Sequence, residues 1–222
     1  MSTATNTRER VLERIRTATK HVAKNDDWRA QVYSALPRPY VHEGKRSRQE
    51  TLALMIERLR EYDAEVTETT PAELPASIAA QLAASGHHSF VVPPALPVEW
   101  LASGYDWKVD NGLGSEEIEK TEGVVTAAFC GVADSGTIVL HHSSTEGRRV
   151  ITLLPDWHLC ILRTSQVVET LPEYFSRCAQ PPVLATTISG PSATADIEMT
   201  RIKGVHGPRF LQVILVHDEE AH

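Results

Sequence analysis

From residue 47 onward the chain alternates short helical and strand patterns, and this alternation constrains its fold more than any other feature. Ser47-Arg48-Gln49-Glu50 has the spacing of a capping box. In such a box the Ser hydroxyl and the Glu carboxylate each satisfy a helix-start amide that would otherwise be unpaired. Leu52, Met55, Ile56 and Leu59 then share one helical face. Residues 64–69 read as a strand, 77–84 as a helix behind Pro75, and 89–92 as a strand closed by Pro93-Pro94. Helices and strands that exchange over such short distances mark a largely parallel sheet covered by helices.

Downstream the chain is richer in β-formers. Residues 124–129 and 137–140 flank Gly131-Val132-Ala133-Asp134-Ser135-Gly136, which predicts a hairpin or a strand-loop-strand corner. Residues 150–153 and 158–162 are further strand candidates around Pro155-Asp156, and 171–178 reads as a helix starting near Pro172. The last strands are expected at 183–188 and 210–216. Upstream, Val11, Leu12, Ile15, Ala18 and Val22 recur at helical spacing with arginines and glutamates on the other face. Residues 25–46, interrupted by Pro37, Pro39 and Gly44, read as a helix end and then a connection. The expected organisation is a helical extension over 1–46 and an α/β domain over 47–222.

Composition excludes several function classes. The formal net charge of -7 argues against nucleic acid, whose phosphates call for basic patches. No apolar run approaches the roughly 20 residues of a membrane span. Residues 1–9 are polar and lack the apolar stretch of a secretory signal, so a cytoplasmic protein is expected. Cys130, Cys160 and Cys178 form no CxxC pair, which argues against a disulfide framework or a thiolate metal site. Cys130 and Cys160 lie in apolar runs, where a thiol packs as a small core residue. No metal and no cofactor are expected on this chain. His141-His142 and His87-His88 read as metal-binding, pH-sensitive or plain surface pairs.

Three loops carry residues that suggest chemistry. Asp134-Ser135-Gly136-Thr137 combines an acid, hydroxyls and a glycine that permits close backbone approach; the same residues also suit a tight turn. Arg148 and Arg149, after Gly147, could clamp an anion in bidentate fashion or form a solvated strand end. His158 sits within an apolar strand, as a core residue or a ligand contact. The segment 189–208 is the densest. Ser189, Gly190, Ser192 and Thr194 form a turn whose amides and hydroxyls could cradle an anion at a helix start. Asp196 and Glu198 are two apart and would diverge on a helix. His206, followed by Gly207, is a proton carrier or a turn residue. The candidate catalytic residues are His206 and Asp134, the others being ligand contacts. There is no GxSxG elbow, HExxH helix or Walker loop, and Gly112-Leu113-Gly114 lacks the third glycine of a dinucleotide fingerprint.

Taken in order, these motifs resemble the LUD domain. The series runs through 131–140, Gly147-Arg148-Arg149, Leu153-Leu154-Pro155-Asp156-Trp157-His158, Ser189-Gly190-Pro191-Ser192 with 194–198, and Gly204-Val205-His206-Gly207-Pro208. It spans about residues 47–216 and is most similar to the lactate-utilisation protein C family. Asp134-Ser135 departs from the Glu-Thr that the family often carries there. The resemblance implies a three-layer α/β/α fold related to ribose-5-phosphate isomerase and CoA-transferase domains. It also implies a part in oxidising L-lactate to pyruvate beside partner proteins that carry iron-sulfur clusters, this chain being the cluster-free member. The resemblance supplies no catalytic residue. The loops are then expected to converge on a pocket for a small carboxylate or phosphate at the carboxyl ends of the strands. A non-catalytic scaffold for the iron-sulfur partners, or a sugar-phosphate or CoA enzyme of the same fold, are the alternatives.

Overall fold

Two helices come first, α1 (Thr7–Thr19) and α2 (Asp26–Ala35). The computed structural model describes residues 7–19, 26–180, 182–194, 202–203 and 206–218. It divides into two compact units, Met1–Tyr40 and Val41–His222. In the first unit α1 buries no residue, and its apolar Val11 and Ile15 are exposed. Where 25–46 was expected to hold a helix end and then a connection, α2 is a separate helix, and the prolines at 37 and 39 follow its end.

The second unit begins with α3 (Arg48–Glu61), β1 (Glu65–Thr69), α4 (Leu74–Ser85), β2 (Ser89–Val92), β3 (Asp106–Val109), α5 (Ser115–Glu119) and β4 (Gly123–Ala127). It continues with β5 (Cys130–Val132), β6 (Thr137–Leu140), β7 (Trp157–Arg163), β8 (Val167–Val168), α6 (Leu171–Arg177) and β9 (Thr186–Ile188). The last elements are β10 (Ala193–Thr194), β11 (Ile202–Lys203) and β12 (Phe210–Val216). The capping box at α3 is present as read: the Ser47 amide donates to Glu50 Oε2 at 2.8 Å, and the Glu50 amide donates to Ser47 Oγ.

Six strands form an all-parallel sheet in the order β1-β12-β7-β4-β2-β3. Its central strands are apolar on both faces, as a sheet covered on both sides requires. One face presents Phe90, Val92, Val125, Trp157, Leu159, Ile161 and Ile214 to Ile78 and Leu82 of α4. The other presents Cys160, Leu162, Leu211, Val213 and Leu215 to Met55 and Leu59 of α3, and Val91 and Val124 to Ile118 of α5. The architecture is a three-layer α/β/α sandwich.

A second sheet, β8-β5-β6-β9, was not anticipated. It joins the α3 side, where Ala133, Ile138 and Leu140 pack with Met55 and Leu59. The corner expected after 124–129 arises because β4 stays in the main sheet while β5 and β6 pair as a hairpin in the second. Residues 150–153 are not a strand. Arg149–Thr152 is a 3₁₀ turn in which the Ile151 amide reaches Arg148 O, and Ile151 is buried against Val91, Ile118 and Val124. Tertiary packing overrides the β-propensity of Val150 and Ile151 here. The strand read at 183–188 is shortened to β9. No helix starts at residues 190–194, because Ala193 and Thr194 pair antiparallel with Ile202 and Lys203. β3, α5 and β8 were not read from the sequence.

Candidate functional site

The strands β7 and β12 start side by side, with His158 in register with Leu211 on one side and Val124 on the other. Over these starts lies a cavity of about 130 Å³. Its walls are Arg149 and Thr152 from the 3₁₀ turn, residues 186–189 from β9 and its end, 190–192 from the following turn, and 206–208 from the approach to β12. It therefore sits at the amino ends of these parallel strands, not at the carboxyl ends as expected. The reason is topological: the loop that closes it leaves the second sheet at β9, and it returns to the main sheet at the beginning of β12. The volume is below the roughly 300–1,000 Å³ of drug-sized pockets, so only a small molecule would fit it.

The two chain segments that close the cavity are tied together. The Ser192 amide donates to Pro208 O at 2.8 Å, and the His206 amide donates to Ser192 Oγ at 2.9 Å. These amides and the hydroxyl lone pair close the loop, whereas the sequence suggested an anion cradle at a helix start. The Ser192 hydroxyl proton remains to be donated. Gly190 has φ of 87°, and a Cβ there would fall 2.6 Å from Tyr62 O, so the turn requires glycine. His206 is exposed on the cavity rim.

His158 forms the floor. The residue is 1% exposed, and Nε2 lies 2.8 Å from Oγ1 of Thr126, itself fully buried in β4. Burial first, and then the Arg149 charge, push its pKa down to about 4, so the ring is neutral near pH 7. Arg149 is half-buried, and among the described residues no carboxylate pairs with it. The wall at Thr186 is braced from behind. His142 Nδ1 meets Gly147 O at 2.9 Å and its Nε2 meets Thr186 Oγ1 at 2.8 Å, from a backbone with φ of 57°. A carbonyl only accepts, so Nδ1 carries a proton and donates to Gly147 O. His141 is likewise no surface residue: its ring stacks on Phe129 and its Nε2 contacts Tyr174 OH.

Of the residues read from sequence, Arg149, His158, Ser189, Gly190, Ser192, His206 and Gly207 meet at this cavity. Ser135 and Thr137 do not line it, but they reach it through hydroxyls. Ser135 Oγ, Thr137 Oγ1 and Ser189 Oγ form a chain with 2.7 Å steps. Gly136 turns with φ of 57° against the backbone of Arg58 in α3. Asp134 lies elsewhere, ion-paired with Arg46 at 2.9 Å, while Arg46 also holds the buried Glu169. Arg148 points away and grips the buried Asp110. Thr194 contributes backbone pairing in β10, and Asp196 and Glu198 lie outside the described residues. Thr126, Thr152, Thr186 and His142 were missed, since a Thr inside a strand run reads as an ordinary β-former.

Among the described residues no group of three or more His, Cys, Asp or Glu is placed to hold a metal ion. No helix among them is long and apolar enough to cross a membrane. The cavity is thus an oxygen-rich compartment with the Arg149 guanidinium, the neutral His158 imidazole on its floor, His206 on its rim and several hydroxyls, which suits a small anion.

The LUD domain matches residues 9–216. The chain is 36% identical over 222 residues to a Deinococcus radiodurans protein named Lactate utilization protein C, covering 97% of this chain and all of that one. A protein of the same name from Geobacillus thermodenitrificans is 32% identical over 194 residues, 78% of this chain and 80% of that one. The crystal structure of a DUF162 family protein from Deinococcus radiodurans superposes with a TM-score of 0.64 at 34% identity, over 78% of this chain and 99% of that chain. The chain belongs to the LUD domain family.

Proposed function

We propose that this chain serves lactate utilisation as the cluster-free component of a system that oxidises L-lactate to pyruvate, and that its cavity holds the small carboxylate. The relatives named Lactate utilization protein C support the pathway. The observation that carries the cavity assignment is Arg149 beside the neutral, buried His158, with Ser189 and Ser192 in the same lining. A guanidinium matches a carboxylate in geometry and charge, and a neutral ring adds a hydrogen bond without a second charge to desolvate. Oxidation of lactate removes two electrons and two protons. In this reading the electrons leave to iron-sulfur clusters on partner proteins, and this chain supplies binding and orientation.

The test is thermal stability of the purified protein with L-lactate, pyruvate, a sugar phosphate and CoA. L-lactate or pyruvate raises the melting temperature, and Arg149→Ala abolishes the rise. A second reading, a scaffold for the partners, is favoured by Leu171 and Phe175 of α6, which are 47% and 58% exposed. No shift with any anion, together with co-purification of iron-sulfur partners, selects the scaffold.

A further inference from the structure

The floor of the cavity contains a relationship that the carboxylate reading does not require. Among the described residues, Gln212 Oε1 is the only fully enclosed side-chain nitrogen or oxygen without a hydrogen-bond partner. His158 Nε2 is paired with Thr126, and Nδ1 has no partner among the described residues. His158 lines the cavity with Nε2 engaged by Thr126, which leaves Nδ1 as the ring nitrogen available to a ligand.

What Nδ1 offers depends on one proton. A neutral imidazole carries a single N–H, so the role of Nε2 fixes that of Nδ1. The Thr126 hydroxyl has two possible acceptors, His158 Nε2 at 2.8 Å and the Cys160 sulfur at 3.9 Å. A hydroxyl at the shorter distance to a ring nitrogen makes a full hydrogen bond, whereas a thiol at the longer distance is a weak acceptor. Donation to Nε2 uses the Thr126 proton well and leaves the hydrogen on Nδ1. The opposite tautomer would leave that proton to sulfur and turn a bare lone pair towards the cavity.

We infer that Thr126 is a positioning residue: its hydroxyl donates to His158 Nε2 and holds the ring in the tautomer that presents Nδ1–H to the cavity. The donors of the site then include the Arg149 guanidinium and His158 Nδ1–H, and it takes a ligand rich in oxygen acceptors. A 2-keto carboxylate meets this need at both ends, with its carboxylate at Arg149 and its keto oxygen at His158. In this arrangement His158 is a hydrogen-bond donor and not the base that takes a proton from a hydroxyl. The ring's low pKa agrees, since an imidazolium would donate regardless of Thr126.

The ligand assignment rests on the carboxylate reading, but the tautomer does not, and one experiment separates them. Long-range proton–nitrogen correlation spectra of the protein labelled with 15N-histidine, with His158 assigned through His158→Gln, report which nitrogen carries hydrogen. The expected pattern is a protonated Nδ1 in the wild type and in Thr126→Ser, and a shift towards the Nε2–H form in Thr126→Val. Pyruvate affinity falls about tenfold in Thr126→Val and is retained in Thr126→Ser. An Nε2–H pattern in the wild type overturns the inference, and so does a Thr126→Val protein whose His158 tautomer is unchanged. A protein with the Nδ1–H pattern that binds neither pyruvate nor L-lactate keeps the role of Thr126 and defeats the carboxylate reading.

Discussion

Arg148 closes on Asp110 rather than on the cavity, its Nε donating to Oδ2 at 2.8 Å while Asp110 is 5% exposed. The Arg148 side chain holds the Asp110 carboxyl below the usual carboxylate range, helped by the amides of Gly112 and Leu113. Adjacent arginines thus have separate tasks, one joining the 147–149 turn to the end of β3 and the other facing the cavity. Arg148→Ala leaves a buried carboxylate without its cation and lowers stability by about 1–3 kcal/mol. Arg149→Ala removes a half-buried charge with no carboxylate partner among the described residues and changes stability little. Denaturant unfolding of both variants checks this, and equal losses would contradict the division of roles.

Acid acts on the His158 site in a defined window. The folded pKa is about 4 against an ordinary 6.5, so the unfolded chain binds the extra proton between these values. The contribution of the neutral ring is therefore complete above pH 6.5 and is lost as pH falls towards 4. Its size is about 3 kcal/mol over the whole window. Melting temperatures measured from pH 7 to 4 should fall more steeply for the wild type than for His158→Gln. Parallel curves would sink the assignment.

The Gly190 turn is specified by space as well as by conformation. Gly190→Ala forces a side chain into φ of 87° and against Tyr62 at 2.6 Å, while Gly104→Ala meets φ of 92° with nothing within 4 Å. Conformational strain alone costs about 1–2 kcal/mol, and the Gly190 variant adds a clash. Calorimetry should show the larger loss of melting temperature at Gly190, and anion-induced stabilisation should weaken there because the cavity wall shifts.

The thiols divide by burial. Cys130 and Cys160 are 1% and 0% exposed, and burial pushes their pKa up to about 11 and about 12. Cys178 is half-buried. A thiol-reactive chromophore at pH 8 should label Cys178 first and the other two only on unfolding, with three thiols titrated in denaturant. Fast labelling of Cys160 in the native protein would show that the β4–β7 core opens.

Much of the architecture was legible because it rests on local patterns. The capping box at Ser47, the Pro-started helices and the apolar runs of β7 and β12 each reflect an interaction within a few residues. Local signals failed where packing chose among conformations of similar propensity. Residues 149–152 became a 3₁₀ turn because Ile151 had to reach the α5 side, and residues 193–194 became a strand because a partner existed at 202–203.

The sequence by itself determined the layer order, the family and the set of polar residues concentrated in loops, since hydrophobic period and motif order are properties of the chain alone. Only the tertiary structure decided which of those residues share a cavity. It sent Arg148 to Asp110 and Asp134 to Arg46, and it brought Arg149, His158 and His206 together. It also recruited Thr126 beneath His158, from a neighbouring strand 32 residues away. Strand register sets such pairings across the sheet, and a side chain's partner in register is fixed by long-range packing that no local pattern encodes.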